Sequence, residues 1–319
     1  MHRVPVRKLL LALLATLALV VVVLNWTYGR LPAEPKATGS FIQVGQLRIH
    51  YLERPGAGPP VLLIHGLPGT ADDFDEVSAL LAGYRTIAID RPGYGYSTGG
   101  YVPFEHQLTA TRELLAKLHI QRPILVGHSY GGTIALGFAE HYPNKVRGLV
   151  LVDAAAAGTH PSGFERIQAS GVQFLQIPVI RQIANVTFGQ LLLTVSGEQG
   201  DGEAFAPQPV AAAHLKRLLA INMTHGNLEA LAGERLAAGG VLDHIDRGLR
   251  AVRVPTVVIQ GGADHLVKPV YGRRLAATLP DARLVIVGGG HMVPYTHPAV
   301  VAASVKSLAA TSVPASAAP

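Results

Sequence analysis

The chain has 319 residues, 49% of them apolar and only 15% charged, which suffices for a large core and excludes a disordered polypeptide. It has no cysteine, so disulfides, thiolate metal sites, a Cys nucleophile and a lipid-modified Cys anchor are all excluded. The net charge of +6 gathers at one end: Arg3, Arg7, Lys8 and Arg30 precede the first acid, Glu34, and residues 31–319 carry 23 basic against 21 acidic side chains. A nucleic-acid binder would keep its basic excess in the folded body.

Leu9–Trp26 reads LLLALLATLALVVVVLNW, without a charge. At 1.5 Å per residue it would extend about 27 Å, close to a bilayer core. Trp26 and Tyr28 lie where interfacial aromatics belong, and Arg3, Arg7 and Lys8 lie on the other side. The expectation is a cytoplasmic N-terminus (1–8), a transmembrane anchor (9–26) and a linker (27–40), with the body across the membrane by the positive-inside rule. The alternative is a cleaved signal peptide and a secreted body, although 25–30 (NWTYGR) offers no small-x-small site.

After residue 40, strands and helices alternate. Phe41–Val44 and Leu47–Leu52 read as a hairpin around Gly45-Gln46, and Val61–Ile64 as a short buried strand. Asp72–Leu81 has helical spacing, Tyr84–Asp90 is a strand and Phe104–Leu118 a helix. Ile124–Gly127 is a strand running into a helix over Tyr130–His141, and Val146–Val152 is a further strand. The rhythm resumes late, with Thr256–Gln260 and Leu284–Val287 as strands and Val270–Leu279 and Pro298–Leu308 as helices. Continuous β-branched runs between helices predict a mostly parallel sheet covered on both faces. Residues 155–250 break this pattern: Val210–Ile221 and Asn227–Ala238 are helix-like and no strand stands out. This interval reads as a helical cap inserted between two parts of the core, 41–154 and 251–310, with a separate helical domain as the alternative. The tail, 311–319, reads as disordered.

Gly127-His128-Ser129-Tyr130-Gly131-Gly132 joins a strand to a helix. A G-x-S-x-G elbow in that context exposes a serine hydroxyl at a helix N-terminus, where developing negative charge is favoured. Ser129 is thus the candidate nucleophile. A serine needs a base and the base needs an orienting acid. His291, after Gly288-Gly289-Gly290 at the end of the last strand, is the candidate base; His265, His297 and His128 are rivals. Of these, His297 reads as a cap of the final helix and His128 as pointing away from the working face of the serine. Asp264, after Gly261-Gly262-Ala263, is the candidate acid, and Asp153, at the end of Leu149–Val152, is its rival. Ile64-His65-Gly66-Leu67-Pro68-Gly69 is a Gly-rich turn that could aim the Leu67 N–H at an oxyanion, with the Tyr130 N–H as second donor. Pro68 has no N–H to offer. Asp90-Arg91-Pro92-Gly93-Tyr94-Gly95-Tyr96-Ser97 reads as a turn held together by its own Asp and Arg.

This set of motifs over residues 40–310 resembles the α/β-hydrolase superfamily, in its esterase, haloperoxidase-like and epoxide-hydrolase-like branches. Epoxide hydrolases and haloalkane dehalogenases of that superfamily carry Asp at the elbow; Ser129 departs from them. The resemblance implies an α/β-hydrolase fold with a helical cap and the chain order Ser129, Asp264, His291. The expected activity is hydrolysis of hydrophobic carboxylic esters through an acyl-enzyme, without cofactor, metal or nucleic-acid partner. The same triad acting on a C–C or amide bond, or a ligand-binding protein on a degenerate scaffold, are the alternatives. P-loop, H-E-x-x-H and G-x-G-x-x-G strand–helix signatures are absent from the sequence.

Overall fold

The computed structural model describes residues 6–28, 35–159, 203–222 and 227–311. Buried apolar runs become strands of one eight-stranded sheet: β1 (Ser40–Val44), β2 (Leu47–Arg54), β3 (Gly58–Ile64), β4 (Tyr84–Ile89), β5 (Ile124–His128), β6 (Gly148–Val152), β7 (Thr256–Gly261) and β8 (Ala282–Val287). Their spatial order is β1-β2-β4-β3-β5-β6-β7-β8. β1 and β2 pair antiparallel, as does β2 with β4; from β4 to β8 every pairing is parallel.

Period-two alternation divides each strand between two cores. Val61 and Leu63 of β3, Val126 of β5 and Val150 of β6 belong to one core, and Leu62, Ile64, Leu125 and Leu149 to the other. The helices are α1 (Val6–Tyr28), α2 (Asp75–Leu80), α3 (Phe104–Lys117), α4 (Tyr130–His141), α5 (Ala212–Asn222), α6 (Asn227–Gly248), α7 (Pro269–Thr278), α8 (Val293–Thr296) and α9 (Pro298–Ala310). Val77 of α2 and Val301 and Val305 of α9 join the first core; Leu108 and Leu114 of α3, Ile134 of α4 and Leu275 of α7 join the second. The helix expected from Asp72 begins as a tight 3-10 turn, Ala71–Phe74, where Asp73 N–H donates to Thr70 O at 3.1 Å and Thr70 N–H to Asp73 Oδ2 at 3.2 Å.

Parallel strands bring their carboxyl ends to one edge, so His65, Asp90, Ser129, Asp153, Asp264 and His291 all follow strand ends on the same side. Within 155–250, residues 160–202 fall outside the described residues. The described remainder contains α5 and α6 and no strand, and it is tied to that same edge. The Ala204 carbonyl accepts from the N–H groups of His291 and Met292 at 2.9 and 3.0 Å. The Asp246 carboxylate accepts from Ala157 N–H and Gly158 N–H at 2.6 and 2.7 Å.

α1 occupies the place of the expected anchor, but among the described residues no helix is long and apolar enough to cross a membrane. The leucines of α1 are exposed at successive positions, including Leu9, Leu10, Leu11, Leu13 and Leu14, so no face of the helix is buried. Contact with the body begins within the segment expected as a linker. The Pro35 carbonyl accepts from Tyr96 Oη at 2.6 Å, and the Thr38 carbonyl is bonded by His50 Nε2. A chain starting at Pro35 is expected to keep the full chain's urea midpoint. One starting at Gly39 should lose about 1–3 kcal/mol, the net worth of these bonds, in the same titration.

Candidate active site

Ser129 sits between β5 and α4 with φ 52° and ψ −121°, a left-handed conformation unusual for a side-chain-bearing residue. Sequence explains how it is held. A Cβ on Gly131 would lie 2.1 Å from the Ile64 carbonyl oxygen, and one on Gly132 would lie 2.4 Å from Ala154 Cβ. Only glycine therefore lets α4 start so close to the neighbouring strand ends. The Ser129 backbone is fixed by its N–H to Val152 O at 2.9 Å and by its carbonyl, which accepts from Gly132 and Ala155.

His291 is brought to the elbow by β8 and by the His128 ring. His128 Nε2–H donates to the His291 carbonyl at 2.8 Å, and the two ring centroids lie 4.8 Å apart. The expectation that His128 points away from the working face is thus corrected: the Gly66 backbone and Ser129 crowd that turn, and the ring lies against the candidate base. Burial, followed by the neighbouring His291, lowers the His128 pKa to about 3, so the ring stays neutral. Its Nδ1 has no hydrogen-bond partner among the described residues.

His291 Nδ1 lies 2.7 Å from Asp264 Oδ2, and both side chains are buried. The other oxygen, Asp264 Oδ1, accepts from Leu266 N–H at 2.8 Å and Val267 N–H at 2.9 Å. Asp153 is differently engaged. Its Oδ1 accepts from Gly261 N–H at 2.7 Å and Gln260 Nε2 at 2.9 Å, while Oδ2 is buried without a partner among the described residues. Burial, then the Asp264 charge, pushes the Asp153 carboxyl well above the ordinary carboxylate range. Of the rival bases, His265 is exposed. His297 stands at the N-cap position of α9 without making a side-chain cap bond; its Nδ1 meets Thr296 Oγ1 instead. His128, Asp153 and His291 offer donor atoms within 4.8 Å of one another. In this group His291 Nδ1 is already held by Asp264 Oδ2, and Asp153 Oδ1 by Gly261 N–H and Gln260 Nε2.

The turn after β3 is shaped by Arg91. His65 is buried and neutral, its pKa lowered by burial and then by the Arg91 charge. Its Nδ1–H donates to Gly66 O at 3.0 Å and its Nε2 accepts from Arg91 N–H at 2.9 Å. Arg91 Nε donates to His65 O at 3.1 Å and Arg91 Nη2 to Gly66 O at 2.7 Å. The Gly66 carbonyl therefore faces Arg91, and in a trans-planar peptide the Leu67 N–H points to the opposite side. A Cβ on Gly66 would lie 3.0 Å from Ser129 Cβ, which places this turn directly against the serine.

Sequence reasoning missed Glu234 of α6. It takes Arg91 Nη1 at 2.6 Å and Arg91 Nη2 at 3.0 Å, Tyr94 Oη at 2.8 Å and Gln107 Nε2 at 2.7 Å. The available signal was indirect: a buried arginine after β4 requires a counter-charge, and α6 carries four of the eight acids of the insertion. The expectation that Asp90 and Arg91 hold their own turn together is met by Asp90, whereas the Arg91 side chain bonds the turn after β3, Gln107 and Glu234. Asp90 Oδ1 accepts from Ala71 N–H at 2.7 Å, and Oδ2 accepts from Tyr96 N–H at 2.8 Å and meets His50 Nδ1 at 2.7 Å.

Residues 59–298 match the family described as alpha/beta hydrolase fold. A 2-hydroxy-6-oxononadienedioate/2-hydroxy-6-oxononatrienedioate hydrolase of Paraburkholderia phymatum is 28% identical, over 82% of this chain and 92% of its own length. Lipase 1 of Psychrobacter immobilis is 27% identical, over 72% of this chain and 70% of its own. Among solved structures, an esterase from Exiguobacterium antarcticum superimposes with a TM-score of 0.65 at 22% identity, covering 86% of this chain and all of that one (100%).

Glu234→Gln leaves the Arg91 charge buried without its counter-ion. Such a break costs about 3–5 kcal/mol, and the urea midpoint of the variant should fall accordingly. An unchanged midpoint would mean that water or another acid replaces Glu234.

Proposed function

The chain belongs to the alpha/beta hydrolase fold family, and from that premise we propose that it is a serine hydrolase cleaving carboxylic esters through an acyl-enzyme. The observation that carries this reading is the 2.7 Å contact between His291 Nδ1 and Asp264, on the same sheet edge as the left-handed Ser129. With the Nδ1 proton committed to Asp264, the free lone pair of His291 is on Nε2, the tautomer a general base requires. Nε2 takes the Ser129 proton as Oγ attacks the carbonyl. The N–H groups of Leu67 and Tyr130 receive the oxyanion, where fixed donors act most strongly. The imidazolium then protonates the leaving alcohol, and a water activated by Nε2 hydrolyses the acyl-enzyme. No cofactor enters these steps. The insertion, 155–250, acts as a cap through its ties to the His291 loop and, by way of Glu234, to the turn before Leu67.

A second reading, cleavage of a C–C bond in a hydroxy-oxo-dienoate by the same triad, is favoured by the relative that hydrolyses 2-hydroxy-6-oxononadienedioate. The two separate on a panel of esters of graded chain length set against such a dienoate. The higher kcat/KM identifies the bond.

We also propose that α1 holds the body at a membrane. Support comes from its unburied leucines and from the basic residues at its start. The alternative is a body secreted after cleavage of the N-terminal segment. In cell fractionation, the full chain should sediment with membranes and a chain starting at Pro35 should not.

Ser129→Ala should abolish both ester turnover and labelling by a fluorophosphonate while leaving the melting temperature near that of the parent. Asp264→Asn should lower kcat by up to about 10⁴, the loss seen when a triad histidine is held in the wrong tautomer. Asp153→Asn should lower it far less, since that carboxylate bonds Gly261 N–H and Gln260 Nε2 rather than the His291 ring. The reverse ranking of the two Asn variants would transfer the orienting role to Asp153.

A further inference from the structure

A cluster of potential ligands lies outside the triad, where two core helices meet the insertion. Glu105 is in the first turn of α3, His141 ends α4, and His244 lies on α6. One carboxylate oxygen and one ring nitrogen from each histidine lie within 4.8 Å of one another. His141 Nε2 and Glu105 Oε2 are 3.3 Å apart. Zinc takes histidine nitrogen at about 2.0–2.1 Å and carboxylate oxygen at about 2.0–2.2 Å, so two ligands on a tetrahedral ion stand about 3.3–3.5 Å apart, and this pair already has that spacing.

Two further observations distinguish the cluster from a surface ion pair. His141 Nδ1–H donates to Gly137 O at 2.9 Å. That bond fixes the ring and leaves Nε2 as the ligand atom, the outer-shell arrangement usual for metal-bound histidine. His244 Nε2 is buried without a hydrogen-bond partner among the described residues, an unsatisfied polar atom that calls for a reason. An ion pair between Glu105 and His141 needs no third group, whereas a metal does.

We propose that Glu105, His141 and His244 form a binding site for a divalent first-row transition metal, with zinc the best fit. Two imidazoles and one carboxylate are a borderline donor set suited to zinc, copper or nickel rather than to calcium or magnesium. The Glu105 side chain is 58% exposed, so it has room to swing onto the ion, and the fourth position opens to solvent. The bound ion clamps α6 to α3 and α4. Because α6 also carries Glu234, the metal steadies the insertion at its outer side while Arg91 holds it at the inner side.

The test uses the full chain, stripped with EDTA and titrated with Zn²⁺ by calorimetry, and with Co²⁺ as a spectroscopic stand-in. The wild type should take up one equivalent of Zn²⁺, gain melting temperature, and give the visible absorption of low-coordinate Co²⁺. His244→Ala and His141→Ala should each weaken Zn²⁺ by more than the roughly 10–100-fold typical of losing an outer-shell partner. Glu105→Gln should weaken it by at least about tenfold. All three should retain ester turnover in EDTA. Glu105 is exposed, so that variant preserves the test should either histidine variant fail to fold. No Zn²⁺ uptake by the wild type would overturn the proposal. So would an unchanged titration in His244→Ala and Glu105→Gln, which would place the ion elsewhere, for instance against His128 and His291.

Discussion

A guanidinium sealed in the interior sets the conditions under which the rest of the site can exist. Arg91 has five N–H groups, and each finds an acceptor: Nε on His65 O, Nη1 on Gln107 and Glu234, Nη2 on Gly66 O and Glu234. Lysine could not replace it, since an ammonium has three donors and no planar fork. Burial opposes the charge, but Glu234 restores it, and the net effect raises the Arg91 pKa. The charge is therefore permanent, and the parts that depend on it are the turn before Leu67, the loop after β4 and the insertion helix α6. A buried ion pair of this kind adds little to net stability compared with an apolar packing of the same volume. What it adds here is geometry: two carbonyls of one turn are drawn to one side, and the next N–H is left on the other.

Most of the framework was legible because its signals are local. Buried strands such as Ile124–His128 and Thr256–Gly261 are short β-branched runs between helices, and Ser129 announces itself through the glycines that its close approach to Ile64 and Ala154 demands. Glu234 was not legible for the opposite reason. Its partner Arg91 is 143 positions away in the chain, and nothing in the sequence around Glu234 distinguishes it from a solvated acid on a helix. The orientation of His128 failed similarly. The elbow motif fixes the backbone at that position, but the side chain is placed by the His291 carbonyl, which arrives from another strand. The N-terminal helix was legible as a helix, because apolar residues without a breaker propagate one. Its relation to a membrane is a matter of span length and surroundings, and these are not encoded in helix propensity.

The choice between the two candidate acids shows how far strand topology reaches and where it stops. β6 and β7 are neighbours, so Asp153 and Asp264 both emerge at the same edge beside the elbow, and order along the chain alone cannot rank them. Reach and solvation by donors do. Asp264 lies three residues beyond β7, where the backbone curls to offer it Leu266 N–H and Val267 N–H as well as the His291 ring. Asp153 follows β6 immediately, and one of its oxygens receives nothing. Burial, and then the Asp264 charge, push the Asp153 carboxyl well above its ordinary range, so a charge on Asp153 is disfavoured beside its neighbour. In the proposed mechanism, when His291 takes up the serine proton the imidazolium meets the Asp264 carboxylate that already holds its Nδ1.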